Sequence, residues 1–409
     1  MTELAGTDSA TSDLPSFPMP RRCPLQPPEQ YSSLRDSAPI SQVLNDVTGK
    51  PAWVIARHEH VRQALNSPML SSSWKDPGYP LQVQLPEEFL QHYELPLIAM
   101  DPPEHTVRRR LIIPELTAKR MQGLRPRIQQ VVDECIDAML RQGGPVDLVQ
   151  TLAAPVPGTV FAELVGASDE DAAFFKRHAE VTMTRGVSGE TLGALQAEME
   201  SRLDQVVTAK ERTPTDDLLS RIIERNRRDG ALRHDNIVAV ARTLMFGGFD
   251  TVANLISLGT VTLLRHPDQL AQLAGDESLT AKAIGELLRF LSINDSSSRR
   301  VAIDDVEIGG VRIRKGEGVI LLFGSANRDE SVFAEPDRFD IHRDTRNHVA
   351  LGGGIHQCPG GSLVKVELEV VLNTLLRRIP GLRLAVPFEE LPFRDDTLLY
   401  GLYELPVTW

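Results

Sequence analysis

Residues 351–363 read LGGGIHQCPGGSL. One cysteine, Cys358, stands between two glycine clusters and two residues after His356, in a chain that uses only 3 cysteines in 409 residues. Gly352, Gly353 and Gly354 precede it, and Gly360 and Gly361 follow. Glycine admits positive φ and carries no Cβ, so this backbone can lie close against a flat ligand. The run GSLVKVELEVVLNTLLRRI that follows has a helical pattern and is closed by Pro380, which places Cys358 just before a helix N-terminus. Free N–H groups and the helix dipole favour a thiolate there, the form that a soft metal ligand or a nucleophile needs. Three other readings compete. A buried cysteine in a glycine-rich turn is the simplest. Nucleophilic catalysis has no partner constellation beyond His356, and a zinc site would need two more ligands, none of them suitably spaced.

The rest of the chain sets bounds. A hydrophobic share of 41% and a charged share of 24% are ordinary for a globular protein with a large core. The formal net charge of -12 argues against nucleic acid as a partner. No run of about 18 apolar residues is present, so no membrane association is expected. The opening MTELAGTDSATSDLPSFPMP has neither a basic n-region nor an apolar h-region. Its composition predicts a disordered tail over 1–25, and 26–409 is expected to form a single catalytic domain. Cys23, Cys135 and Cys358 form no CxxC pair, which fits a reducing cytoplasm.

Residues 40–56 alternate like two short strands around a Thr-Gly turn, and HEHVRQALN after them reads as a helix. Residues 70–97 carry Pro77, Pro80 and Pro86 with little periodicity and read as a long loop. Helical patterns dominate 104–375. The longest, 234–265, is apolar nearly all round and should cross the interior. A second clear helix is expected at 278–291. The run VEIGGVRIRKGEGVILLF predicts strands with turns at Gly309-Gly310 and Lys315-Gly316, and LRLAV and LYELPVTW read as late strands. The fold class is mainly α with a small β part (α+β), built on one long central helix.

With these elements in place, GGGIHQCPGG resembles the haem-binding loop of the cytochrome P-450 haem-thiolate monooxygenases, whose pattern is Phe-Gly-x-Gly-x-His-x-Cys-x-Gly. Gly352, Gly354, His356, Cys358 and Gly360 match. The resemblance implies that Cys358 is the metal ligand, the proximal thiolate of a haem b iron, and that His356 meets a haem propionate. Leu351 stands where the family usually has Phe, and Pro359 removes an amide that would otherwise donate to the sulfur. GGFDT, Gly247 to Thr251, matches Ala/Gly-Gly-x-Asp/Glu-Thr. By itself the stretch could be a packing groove with a back-bonded threonine. The resemblance implies a helix opened at Gly247, with Thr251 and Asp250 as the catalytic proton-handling pair. Glu286 and Arg289 match Glu-x-x-Arg, and Arg338 of EPDRFD resembles the arginine that completes a buried Glu–Arg–Arg network. His105 and Arg109 of MDPPEHTVRRRL, with Arg300 of SSSRRVAI, resemble the residues that hold the propionates. Arg299 is the competitor of Arg300 for that role, and alignment by the following Val-Ala favours Arg300.

Across roughly residues 40–409 the likeness is strongest to soluble actinomycete members. It implies the cytochrome P-450 fold and insertion of one oxygen atom from O2 into a hydrophobic small molecule, by hydroxylation or epoxidation, in secondary metabolism. Electrons would come from a ferredoxin and ferredoxin reductase, so NAD(P)H would act only indirectly. Arg62, Arg108 and Arg110 are candidates for the docking face. Thr243, Phe246, Gly247, Ile293, Asn294 and Leu399, with the 70–97 loop, are the expected lining of the substrate pocket. A cytoplasmic monomer is expected. Oxidative coupling, cyclisation or desaturation on the same cofactor is the alternative function. A peroxide-driven enzyme, a non-catalytic haem or ligand sensor and a cysteine hydrolase rank below it.

Overall fold

The alternating residues after position 40 form a hairpin. Ile40–Asn45 and Lys50–Ile55 pair antiparallel in the register Val43 to Ala52, and Gly49 takes the positive φ of 65° that the turn requires. A computed structural model describes residues 14–84, 90–91, 93–230, 232–248, 250–295 and 298–409 of the protein. Within them the hairpin is the centre of a six-stranded sheet. Gly318–Leu321 runs parallel beside Lys50–Ile55. Arg299–Ala302 and then Leu70–Ser71 follow antiparallel. On the other edge Ser16–Phe17 pairs parallel with Leu44 and Asn45. The tail expected over 1–25 is therefore too long. Phe17 is fully buried and Met19 nearly so, and the apolar contact they gain under the sheet outweighs the polar composition around them.

Helices form the larger part. The apolar run 234–265 is two helices, His234–Gly247 and Asp250–Leu264, rather than one. All residues from Val252 to Leu263 are buried, as expected for a helix apolar on every face. Together the two are long and apolar enough to cross a membrane, but three quarters of the most apolar window is buried inside the protein, at 75%. The glycine pair at the break divides its roles. A Cβ on Gly248 would lie 2.3 Å from the Phe161 ring, so Gly248 lets the helix Pro155–Val165 pack closely; Gly247 faces open space.

Thr280–Leu291 carries a buried ion-pair network. Glu286 and Arg289 are both 0% exposed and joined by two hydrogen bonds of 2.7 Å. The third member is Arg343, whose Nε donates to Glu286 Oε1 at 3.2 Å. Arg338, expected in that place, instead points outward and pairs with the carboxyls of Glu335 and Asp340. The reason is local. Arg343 also donates to the carbonyls of Ala334, Glu335 and Arg338, so it both closes its own loop and neutralises Glu286. Arg289 donates to the Asn327 carbonyl at 2.7 Å. The Asn327 side chain accepts from Val349 N, and Gly352 N bonds the Val349 carbonyl. The network thereby supports the cysteine loop from behind.

Candidate functional site

Gly354–His356 forms a single 3-10 turn ahead of Cys358, and Cys358 N donates back to the Leu351 carbonyl at 2.9 Å. Gly352 and Gly354 hold φ of 71° and 61°. A Cβ at Gly354 would stand 2.3 Å from the Leu65 carbonyl oxygen, so only glycine fits that approach. The Cys358 side chain is accessible, yet its surroundings are dense enough that burial raises its pKa. Backbone amides of Gly360 and Gly361 bonded to the sulfur, and the nearby Arg109 charge, oppose that rise. Pro359 contributes no amide, so the sulfur relies on the next two.

Two imidazoles and two guanidiniums surround the loop. His105 and His356 have ring centroids 4.4 Å apart. His356 Nε2 lies 3.0 Å from Ser72 Oγ, while neither ring nitrogen of buried His105 has a hydrogen-bond partner among the described residues. Burial, reinforced by neighbouring arginines, pushes the His105 pKa down to about 4 and that of His356 down to about 3, so both rings are neutral at pH 7. Arg109 Nη2 donates to the Gln357 carbonyl at 2.6 Å. On the strand Arg299–Ala302 neighbouring side chains alternate in direction. Arg299 turns to the carbonyls of Pro80 and Leu81. Arg300 is buried and lies close enough to both histidines for its charge to lower their pKa values. Burial lowers the Arg300 and Arg109 pKa values as well. Asp101 is occupied by Ser71 Oγ and Ser72 N.

The distal candidates gather at the helix break. Thr251 Oγ1 donates to the Gly247 carbonyl at 3.2 Å. Asp250 Oδ1 accepts from Arg394 at 3.0 Å. Thr243 Oγ1 donates to Ala239 O and accepts from Leu97 N, both at 3.0 Å, which ties the 70–97 loop to this helix. Leu399 is buried, and Tyr400 N beside it reaches the Ile293 carbonyl, so Ile293, Asn294 and Leu399 lie at one junction. The side chain of Phe246, and residues 85–89 and 92 of the loop, lie outside the described residues. Arg108 is buried and paired with Glu94, because its face of the helix Glu104–Ile112 packs inward; it leaves the set of exposed docking candidates. Arg62 and Arg110 stay exposed. A groove of about 430 Å³ runs between Arg109, Arg110, Ile113 and Ile355. Sequence reasoning missed Arg343, Ser72, Asn254 and Arg394. Arg343, Ser72 and Arg394 act through partners far along the chain that no local spacing signals, whereas Asn254 stands four residues after Asp250 on one helix, a spacing that could have pointed to it.

The residues present fit a flat iron macrocycle with anionic edge groups. One sulfur with amide donors would suit a single bond to a soft metal. Arg109, Arg300 and the unpartnered His105 nitrogens offer cationic and hydrogen-bonding contacts suited to carboxylates. Among the described residues no group of three or more His, Cys, Asp or Glu could hold a metal ion, so the zinc alternative gains no support.

Comparison with known proteins agrees along the whole length. The family model described as Cytochrome P450 matches residues 172–386. Cytochrome P450 105A3 of Streptomyces carbophilus is 42% identical over 409 residues, covering 100% of this chain and 99% of that protein. Pentalenic acid synthase of Streptomyces avermitilis is 42% identical over 395 residues, covering 96% and 97%. The solved structure of CYP105P1 in complex with filipin I superposes with a TM-score of 0.90 at 41% identity, covering 97% of this chain and 99% of that one. Cysteine loop, cationic edge, opened helix and full-length similarity converge: this chain belongs to the cytochrome P450 family, as a haem b monooxygenase of the bacterial actinomycete type.

Proposed function

We propose that this monooxygenase inserts one oxygen atom from O2 into a hydrophobic small molecule of secondary metabolism, by hydroxylation or epoxidation. The carrying observation is Cys358: a sulfur with the Gly360 and Gly361 amides behind it, beside two neutral histidines and the Arg109 and Arg300 guanidiniums. When bound, haem supplies oxygen activation and the oxidation itself.

The chain's own residues supply the rest. Cys358 would hold the iron through its sulfur as a thiolate, giving up its proton to do so. Arg109 and Arg300 would hold the propionates, with His105 and His356 hydrogen-bonding them. Thr251 can hold a proton at Oγ1 once it releases the Gly247 carbonyl, and the Asp250 carboxyl, one residue earlier, can exchange protons between solvent and that hydroxyl. Leu399 and Ile293, together with uncharged Thr243 and Asn294, suit an apolar substrate. Similar proteins include one named pentalenic acid synthase and a CYP105P1 solved in complex with filipin I, which supports a small organic molecule as substrate. A ferredoxin fed by its reductase would dock against the exposed Arg62 and Arg110, where acidic partners are favoured. We place the protein in the cytoplasm, as a monomer.

The test is a titration of purified ferric protein with a library of terpenoids, macrolides and steroids, watching the Soret band. A low-spin to high-spin shift, followed by oxygenated product when a ferredoxin system is supplied, is expected. Loss of any haem spectrum on reconstitution would overturn the reading.

A further inference from the structure

Arg394 lies 144 positions from Asp250 in sequence, and its Nη1 donates to Asp250 Oδ1 at 3.0 Å. The same nitrogen reaches Asn254 Oδ1 at 3.4 Å, and Asn254 Nδ2 lies 3.5 Å from Asp250 Oδ2. Arg394 is 8% exposed, and its Nε is buried without a partner among the described residues. A guanidinium held this far from water depends on its contacts to offset the lost hydration, here the Asp250 carboxyl, the Asn254 amide and the Tyr403 ring 5.6 Å away.

The backbone around Arg394 explains how it is aimed. Residues 393–402 form a narrow hairpin, with Phe393 bridged to Leu402 and Arg394 N bonded to the Gly401 carbonyl at 2.9 Å. A Cβ on Gly401 would stand 2.0 Å from Asn254 Oδ1, so the glycine lets the hairpin press directly on the Asp250 helix. Thr397 Oγ1 closes the tip, donating to Leu399 O at 2.7 Å with Arg394 O at 3.2 Å. The tip is bonded to a second segment, the connection between the helices Asp169–Thr182 and Gly189–Arg212. Thr184 bridges Thr397, Leu398 N donates to Met183 O at 2.8 Å, and Arg185 N donates to Asp396 O at 2.7 Å. Leu399, an expected substrate contact, sits in the same hairpin.

We propose that Arg394 is a positioning residue for Asp250, and that the hairpin carrying it couples the Met183–Arg185 connection to the Asp250–Thr251 pair. A substrate that settles against Leu399, or displaces the 183–185 connection, pulls on the hairpin and so changes the grip of Arg394 on the Asp250 carboxyl. Substrate entry and proton supply are thereby linked through one chain of hydrogen bonds. The inference rests on the proposed role of Asp250.

The test uses the haem-loaded full chain as wild type, Arg394→Gln, Arg394→Lys, Asp250→Asn and the Arg394→Gln/Asp250→Asn double variant. The reduced carbon monoxide spectrum comes first and reports the haem-thiolate reading independently. Deuterium exchange then follows peptides covering 182–186, 250–256 and 393–403. Arg394→Gln should speed exchange at least about fivefold in all three segments, and Arg394→Lys should restore most of it. Acceleration confined to 393–403 overturns the coupling. The second readout is NADPH consumption with spinach ferredoxin and its reductase, without substrate, in H2O and D2O. The solvent isotope effect should rise about twofold in Arg394→Gln, and the double variant should match Asp250→Asn alone. Equal isotope effects in wild type and Arg394→Gln, or additive losses in the double variant, overturn the positioning role. Absence of the thiolate–haem spectrum in wild type would sink the proposed function, while the exchange data would still decide the contact chain.

Discussion

Among the described residues Glu367 is a buried carboxyl without a partner, and it gives the sharpest stability prediction. It lies on the helix Gly361–Arg378, is 0% exposed, and neither carboxyl oxygen has a hydrogen-bond partner among the described residues. Burial pushes its pKa from 4.5 up to about 8. The folded protein therefore keeps a proton that the unfolded chain releases near 4.5. Between those values the native state binds more protons, so stability must fall as pH rises. At about 1.4 kcal/mol per pH unit, this group should cost wild type roughly 3 kcal/mol between pH 4.5 and pH 7, and roughly 4 kcal/mol by pH 8. Glu367→Gln keeps the shape and removes the titration. Urea unfolding of both haem-loaded proteins from about pH 5 to about pH 9 checks this, because every other titrating group cancels in the difference. The variant should be close to wild type at the acid end and increasingly more stable above it. A difference that stays flat with pH would refute the reasoning.

The corrected ion-pair network predicts unequal arginines. Arg343→Ala leaves Glu286 short of a partner in the interior and should cost about 3 kcal/mol or more, with reduced haem incorporation; Arg338→Ala, at the surface, should cost under about 1 kcal/mol, and chemical denaturation of both variants distinguishes them. Gly354→Ala would drive a Cβ against the Leu65 carbonyl at a φ of 61°, so the purified variant should hold substoichiometric haem by absorbance. Pro359→Leu adds an amide behind a sulfur that already receives two, so the iron potential should rise in a redox titration. An unchanged potential would show that the added N–H does not reach the sulfur.

The sequence disclosed what short spacing controls. The glycines around Cys358 and the Glu286–Arg289 pair are local patterns whose geometry follows from turn chemistry and helix pitch. It misplaced what tertiary folding controls. Arg338 and Arg343 lie in one loop, and only the folded path of 334–343, with Glu335 at φ 46°, turns the second inward. Phe17 sits in a stretch whose composition reads as disorder, yet pairing with the sheet edge and burying one ring order it. Asp250 was visible as a charge in an apolar helix, whereas the partner that aims it lies on a hairpin near the other end of the chain.

The cationic edge leads to a last prediction, about the protein without its cofactor. Burial lowers the Arg109 and Arg300 pKa values, holds two histidines neutral and raises the Cys358 thiol. Each shift reports a desolvation cost that the chain alone does not relieve. In the reading proposed above, Arg109 and Arg300 would gain counter-charges from the carboxylates of a bound cofactor, the His105 nitrogens would gain partners, and the Cys358 thiol would give its proton to solvent on holding the metal. Haem binding would then contribute folding free energy at this edge. Extraction of haem should speed deuterium exchange most in 70–73, 99–110 and 350–361, which surround these groups. The hairpin Ile40–Asn45 with Lys50–Ile55 depends on its own ladder and apolar contacts and should change little. Acceleration spread evenly over both regions would mean that haem stabilises the fold globally rather than by satisfying this edge.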